Sequence, residues 1–150
     1  MACDTTRVLR GALAGAAAAG VWAAQQPIDR RVFRVDYDDC ELLGTVVTRG
    51  RLAYPIGLGS HLINGAIFGA LYSRATPSLP GPAPARGMTA GMAEHLATWP
   101  SLRFIGLHPA SHRFPRMWGN HMAFAQATWR HALFGAVLGA VEERLNPRPA

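Results

Sequence analysis

The chain contains no lysine, and all fifteen of its basic residues are arginine. Charged residues make up only 16% of the sequence, below the quarter or so that is usual in soluble proteins. No arginine cluster alternates with aromatic residues, as the surfaces of single-strand-binding proteins do. The net charge of +6 therefore reflects a composition rich in arginine, alanine and glycine, and we expect no nucleic-acid partner.

Cysteine is scarce as well, and several catalytic patterns are missing. The two cysteines, Cys3 and Cys40, show neither metal-ligand spacing nor a disulfide framework. The sequence has no phosphate-binding loop, no dinucleotide-binding glycine fingerprint and no nucleophile–base arrangement. These absences leave enzymatic activity uncertain and favour a non-catalytic protein.

Charge is missing from long parts of the chain. Four stretches hold at most one charged residue each: 11–28, 52–73, 87–102 and 117–141. A water-exposed helix of this length normally has a charged face, so we predict four transmembrane helices in a multi-pass protein of the bacterial inner (plasma) membrane. The lipid bilayer is then its first partner. A soluble helical bundle is the alternative, and the first stretch also fits a secretory signal peptide.

Two stretches of the chain repeat each other. Residues 61–74 and 131–144 share the pattern His-x3-Gly-Ala-x2-Gly-Ala-x3-Arg, with six of fourteen positions identical. We therefore predict a duplicated helix pair, with half-repeats at about 6–75 and 84–145, that forms an all-α, antiparallel four-helix transmembrane bundle. The bundle would be a single membrane domain over residues 1–150. A short interfacial helix, capped by Asp36 or Asp38, is expected in the first connector.

Each predicted helix carries two glycines four residues apart. Glycines at this spacing lie on one stripe of a helix and let two backbones approach closely. We therefore expect tight helix packing, and possible contacts with other membrane proteins or with a second copy of the chain. The eight glycines are Gly11, Gly15, Gly65, Gly69, Gly87, Gly91, Gly135 and Gly139.

Three histidines and one glutamate form the candidate site. His61 and His131 open the two repeats, while His95 and the adjacent Glu94 lie on a helix that runs in the opposite direction. At ~1.5 Å per residue, His61 and His131 lie ~20 Å from the arginines at the far ends of their helices, and His95 lies ~14 Å from its own. The four side chains are thus expected within about one helical turn of a common level.

Several chemistries fit these residues. His61 and His131 would ligate a haem, or the three histidines with Glu94 would hold a transition metal, whose identity the sequence leaves unknown. Glu94 and the histidines also fit a proton relay or a site for a cationic solute in a membrane transporter. Alternatively, each histidine makes an interhelical hydrogen bond, Glu94 pairs with Arg130, and no cofactor is bound.

Parts of the sequence resemble a known group of proteins. The matching runs are residues 21–31, 37–44, 94–100 and 124–135. They are similar to a family of small four-helix membrane proteins from GC-rich bacteria whose motifs have no assigned chemistry. The resemblance implies a membrane location and no mechanism. The expected function is accordingly that of a non-catalytic assembly or accessory module, with a transporter or a haem- or metal-binding protein as the alternative.

Overall fold

The computed structural model describes residues 4–147, and these residues are all-α, with no strand among them. The five α-helices are α1 (Thr5–Phe33), α2 (Asp39–Val47), α3 (Ala53–Ala75), α4 (Ala83–Thr98) and α5 (His121–Leu145). Short 3-10 segments cover Thr76–Ser78, Trp99–Leu107 and Ser111–Arg113. The all-α prediction is confirmed. Cys3 lies outside the described residues.

Polar side chains define where three of the helices begin. The carboxylate of Asp4 accepts a hydrogen bond from the backbone N–H of Arg7, and that of Asp38 accepts one from Glu41. Such caps satisfy N–H groups that have no partner within the first turn. Asn120 caps α5 in the same way. The expected short helix in the first connector is therefore present as α2, with Asp38 and not Asp36 as its cap.

The first helix is longer than the sequence predicted. It continues past Pro27, although proline usually ends or kinks a helix, and reaches Phe33. It ends instead at Arg34, whose φ of 55° is left-handed and incompatible with a further helical turn. The extra turns bring Asp29 into the core on α1, although the sequence placed it in a connector.

No helix within residues 4–147 is both long enough and apolar enough to cross a membrane. The four stretches are helical, but alanine, glycine and polar residues stand where a spanning helix has leucine, isoleucine and phenylalanine. The prediction of a transmembrane bundle with an interfacial helix is therefore wrong. So are the predicted multi-pass location in the bacterial plasma membrane and the roles of membrane assembly module and transporter.

The helices pack as two close pairs, α1 with α3 and α4 with α5. At each of the eight glycines predicted to pack helices, an added Cβ would lie within 3.0 Å of the facing helix. Gly15 faces the backbone of Gly65, and Gly87 faces that of Gly135. Side chains are excluded at these points because the backbones nearly touch. A third contact of the same kind, between Gly44 of α2 and Gly57 of α3, had no signal in the repeat.

Helix α1 also packs along α5 and joins the two pairs, whereas α3 and α4 hardly touch within the described chain. The arrangement is thus an open bundle in place of a closed four-helix bundle. Its core holds small residues of α1, the ring of Trp22, and Phe134 and Leu138 of α5. Because α3 and α4 are hardly in contact, a cavity remains between them. The proposed duplication of the helix pair stays a prediction.

Candidate functional site

A buried arginine lies at one side of this cavity. Arg130 of α5 donates to both carboxylate oxygens of Asp29, from Nε at 2.7 Å and from Nη2 at 2.6 Å. Its Nη1 donates to Asp39 at 2.6 Å, and Nη2 also donates to the carbonyl of Tyr37 at 3.0 Å. Gln126 adds a bond to Asp29 at 2.8 Å. The expected pair of Arg130 with Glu94 is therefore replaced by a network that links α1, α2 and α5.

The network keeps its charges inside the protein. Burial works to lower the pKa of Arg130, but its hydrogen bonds to Asp29 and the charges of Asp39 and Asp29 outweigh this effect, and the pKa is raised. Burial raises the pKa of Tyr37 well above its usual value, and the charge of Asp39 adds to this effect. Arg130 therefore stays charged and Tyr37 stays neutral, and four of the five N–H donors of the guanidinium are occupied by protein acceptors.

Glu94 and His131 form a direct contact across α4 and α5. Glu94 Oε2 lies 2.7 Å from His131 Nε2, and His131 Nδ1 lies 2.7 Å from the carbonyl oxygen of Ala127. A carbonyl oxygen only accepts, so Nδ1 carries a proton. The Nε2–Glu94 contact then needs one more proton, held either by the imidazolium or by the carboxylic acid. Both nitrogens of His131 are thus engaged within the protein.

His95 is buried beside this pair. Its ring centre lies 4.7 Å from that of His131, and its Nε2 lies 3.1 Å from the hydroxyl of Thr128. That hydroxyl donates to the carbonyl of Phe124 at 2.8 Å, so it accepts from His95, and these bonds assign the proton of His95 to Nε2. Burial lowers the pKa of His95, and the charge of His131 lowers it further. His95 is therefore neutral near pH 7.

His61 lies against a different neighbour. Its ring makes an edge contact with Trp22 at 5.3 Å between centres, and Trp22 makes a second edge contact with His131 at 4.7 Å. Nε2 of His61 is buried and has no hydrogen-bond partner among residues 4–147. Burial lowers the pKa of His61. The structure thus brings Glu94, His131 and His95 into direct contact, and connects His61 to them through an indole.

All four of these residues line one cavity of about 360 Å³. It is open on one side, where the exposed Asn64 of α3 forms part of its edge. The wall is mainly apolar, and aromatic rings from four elements contribute to it: Trp22, Phe68, Trp99 and Phe134. The size and the mixture of an apolar wall with a few polar groups are typical of small-molecule sites.

Neither the haem nor the metal hypothesis gains support from this geometry. Among residues 4–147, no group of three or more histidine, cysteine, aspartate or glutamate side chains could hold a metal ion. His131 offers no free nitrogen because Ala127 and Glu94 occupy both. Trp22 contacts both imidazoles that would ligate a haem, so an indole occupies space that the macrocycle would need.

Sequence reasoning missed the acidic half of the buried network. Asp29 and Asp39 appeared to belong to a connector of balanced charge, since residues 28–54 contain five acids and five arginines. One signal was present: Arg130 is the only charge in residues 117–141, and an arginine in an otherwise uncharged helix needs a carboxylate partner if it is buried. Trp22, which contacts both His61 and His131, was not among the predicted site residues.

Comparison of the chain with protein-family models, with curated proteins and with solved structures finds no match.

Proposed function

We propose that this protein binds a small, largely apolar organic molecule in the cavity between α3 and α4. The observation that carries the proposal is the convergence of helices α1 to α5, and of the rings of Trp22, Phe68, Trp99 and Phe134, on one open cavity of about 360 Å³. Pockets of roughly 300–1,000 Å³ with apolar walls and few polar groups are the usual sites for organic ligands. The aromatic rings supply contact area, and the polar edge supplies orientation.

The hydrogen bonds of two cavity histidines, His131 and His95, support a binding role. A histidine that acts as a general base needs a free nitrogen within reach of the substrate. His131 has both nitrogens engaged, by Glu94 and by Ala127. His95 donates a hydrogen bond from Nε2 to the hydroxyl of Thr128. These bonds hold the rings of His131 and His95 in place, as a fixed binding surface requires.

The cavity is also built on a rigid frame. Arg130 and Asp29, each 1% exposed, fix α5 against α1 beside it, and the glycine contacts leave the paired helices no room to slide. A site whose walls are already ordered loses less entropy when its ligand binds. Such preorganisation supports a binding role.

The proposal is tested by closing the mouth of the cavity. Asn64→Phe places a large side chain at the exposed edge of the cavity, while Ile63→Phe is its matched control, since Ile63 is 60% exposed and outside the cavity wall. Thermal unfolding of the wild-type chain and both variants would be followed with increasing 2-phenylethylammonium or 2-phenylethanol. A ligand that binds only the folded state raises the melting temperature as its concentration rises.

We expect a saturable rise with at least one probe for the wild-type protein and for Ile63→Phe, and a much smaller rise for Asn64→Phe. If neither probe stabilises the wild-type protein, or if all three proteins respond alike, the cavity is not a ligand site of this kind.

A further inference from the structure

We infer that the cavity selects organic cations, namely molecules with one ammonium group on an apolar body, over neutral or anionic molecules of the same shape. This inference rests on the proposed binding function and adds the chemical class of the ligand. It follows from which charged groups line the cavity, and from which of them are already engaged by protein partners.

The positive charges at the cavity are not available to a ligand. Arg130 lines the wall, but Asp29, Asp39 and the carbonyl of Tyr37 take four bonds from its nitrogens. Any charge on His131 is held by Glu94 at 2.7 Å. An anionic ligand would therefore meet no unengaged cation in the described wall, and it would lie beside carboxylates.

Negative charge, in contrast, is left over. Asp39 and Glu94 line the cavity, and Asp29 lies behind the wall, paired with Arg130. Against these three carboxylates, Arg130 and a protonated His131 supply two positive charges. The cluster therefore has a net negative charge even when His131 is charged. Burial keeps the other two imidazoles neutral by lowering the pKa of His61 and of His95, so they do not reverse the balance.

Glu94 is the carboxylate that a ligand can reach. Its side chain is 38% exposed and lines the cavity. Oε2 faces His131, whereas Oε1 makes no hydrogen bond within the described chain. A free carboxylate oxygen at the edge of an apolar cavity accepts a strong, charge-assisted hydrogen bond from an ammonium group.

The aromatic rings of the cavity wall also favour a cationic ligand. Trp22 and Trp99 line the cavity together with Phe68 and Phe134. The faces of such rings are negative, so they attract a cation, and indole does so best. The carboxylate and the rings therefore favour the same charge on the ligand, and the apolar surface accommodates its hydrocarbon part.

The test compares three probes of similar shape: 2-phenylethylammonium, 2-phenylethanol and 3-phenylpropionate. Their dissociation constants would be measured by calorimetry at pH 7.5 for the wild-type chain, for Glu94→Gln and for Glu41→Gln. Glu94→Gln keeps the shape of the side chain and removes its charge. Glu41 is the matched control because it is a similarly exposed glutamate that lies outside the cavity wall.

We expect the wild-type protein to bind the ammonium about tenfold or more tightly than the alcohol, the size of effect that one charge-assisted hydrogen bond gives. The propionate should bind most weakly. Glu94→Gln should reduce the preference to about threefold or less, and Glu41→Gln should preserve it.

The outcomes separate this inference from the binding function. If the alcohol or the propionate binds as tightly as the ammonium to the wild-type protein, the cation preference is overturned and the binding function stands. If Glu94→Gln keeps the full preference, Glu94 is not its source and the inference fails in this form. If no probe binds the wild-type protein, both proposals fall.

Discussion

Arg130 of α5 and Asp29 of α1 form a two-bond ion pair in which each side chain is only 1% exposed. The pair joins the two halves of the open bundle, and Arg130 also lines the cavity. The chain has few large buried side chains to hold its helices in one arrangement. At the Arg130–Asp29 pair, the attraction between opposite charges sets the register of α1 against α5. A buried charge needs a well-placed partner, so other registers are strongly disfavoured.

Removing one partner of this pair should destabilise the fold. Asp29→Asn leaves the buried guanidinium of Arg130 with less than its full countercharge, and losing one partner of a buried ion pair costs about 3–5 kcal/mol. The decrease in the free energy of unfolding is measured by denaturation with guanidinium chloride. Glu41→Gln is the control, because its ion pair with Arg113 is 39% exposed on both sides and should contribute less than about 1 kcal/mol. Equal effects for both variants would mean that the Arg130–Asp29 pair is not buried.

The glycine contacts give a second stability prediction. In Gly65→Ala the new Cβ would lie 2.6 Å from both the Cβ of Ala19 and the carbonyl of Gly15, so α1 and α3 must separate, at a cost of about 1–3 kcal/mol. Gly59→Ala, in the same helix, meets nothing within 4 Å and should stabilise the helix by about 0.5–1 kcal/mol. Urea unfolding of the two variants should therefore show opposite signs. A stabilising Gly65→Ala would contradict the close approach of α1 and α3.

Stability should fall as the pH drops below about 6.5. Burial lowers the pKa of both His61 and His95 from the usual value of 6.5, so the unfolded chain takes up protons at a higher pH than the folded one. The free energy of unfolding is then greatest above pH 6.5 and declines below it, by at most ~1.4 kcal/mol per pH unit for each histidine. Unfolding curves at pH 7.5, 6.5 and 5.5 test the sign.

His95→Gln keeps an N–H for Thr128 and cannot titrate, so its stability should decline less steeply with falling pH. His112→Gln, which changes an exposed residue, should leave the slope unchanged. Stability that increases from pH 7.5 to pH 5.5 would show that the buried histidines are charged in the folded protein.

The thiol of Cys40 should be unreactive while the protein is folded. Cys40 of α2 is fully buried, and Gln26 of α1 donates a hydrogen bond to its Sγ. Burial raises the pKa of the thiol to about 12, so almost no thiolate is present at pH 8. In a Cys3→Ser variant, where Cys40 is the only thiol, labelling by a disulfide reagent should be at least ~100-fold slower in buffer than in denaturant. Fast labelling in buffer would mean that the thiol of Cys40 is not buried in the folded protein.

Parts of this fold could be predicted from the sequence and parts could not. The positions of α3 and α5 follow from the repeat, and the glycine stripes mark where helix pairs approach. The membrane prediction failed because a scarcity of charge indicates only that helices lack a charged face. In this protein, glycines on such uncharged faces bring the backbones of neighbouring helices into contact. No helix within residues 4–147 is long and apolar enough to cross a membrane.

The candidate site, too, could be predicted from the sequence only in part. Helical periodicity brought His95, His131 and Glu94 to neighbouring levels because it fixes spacing along an axis. It does not determine how helices turn about their axes, so the indole of Trp22 next to His61 was not predictable. Asp29 was missed because α1 continues through Pro27, which local rules treat as a helix end. The partner of Arg130 therefore came from a segment assigned to a loop.

The binding function is tested most directly by fluorescence from the cavity itself. Trp22 and Trp99 line the cavity, whereas Trp118 and Trp129 lie outside its wall and are exposed, so a Trp118→Phe/Trp129→Phe protein reports from the cavity alone. Titrating 2-phenylethylammonium and 2-phenylethanol into this protein should give a saturable change in emission with at least one probe. That change should persist when Ile63→Phe is added to this protein, and it should disappear when Asn64→Phe is added instead. No saturable change, or the same change in all three proteins, would contradict the proposal that the cavity between α3 and α4 binds a small molecule.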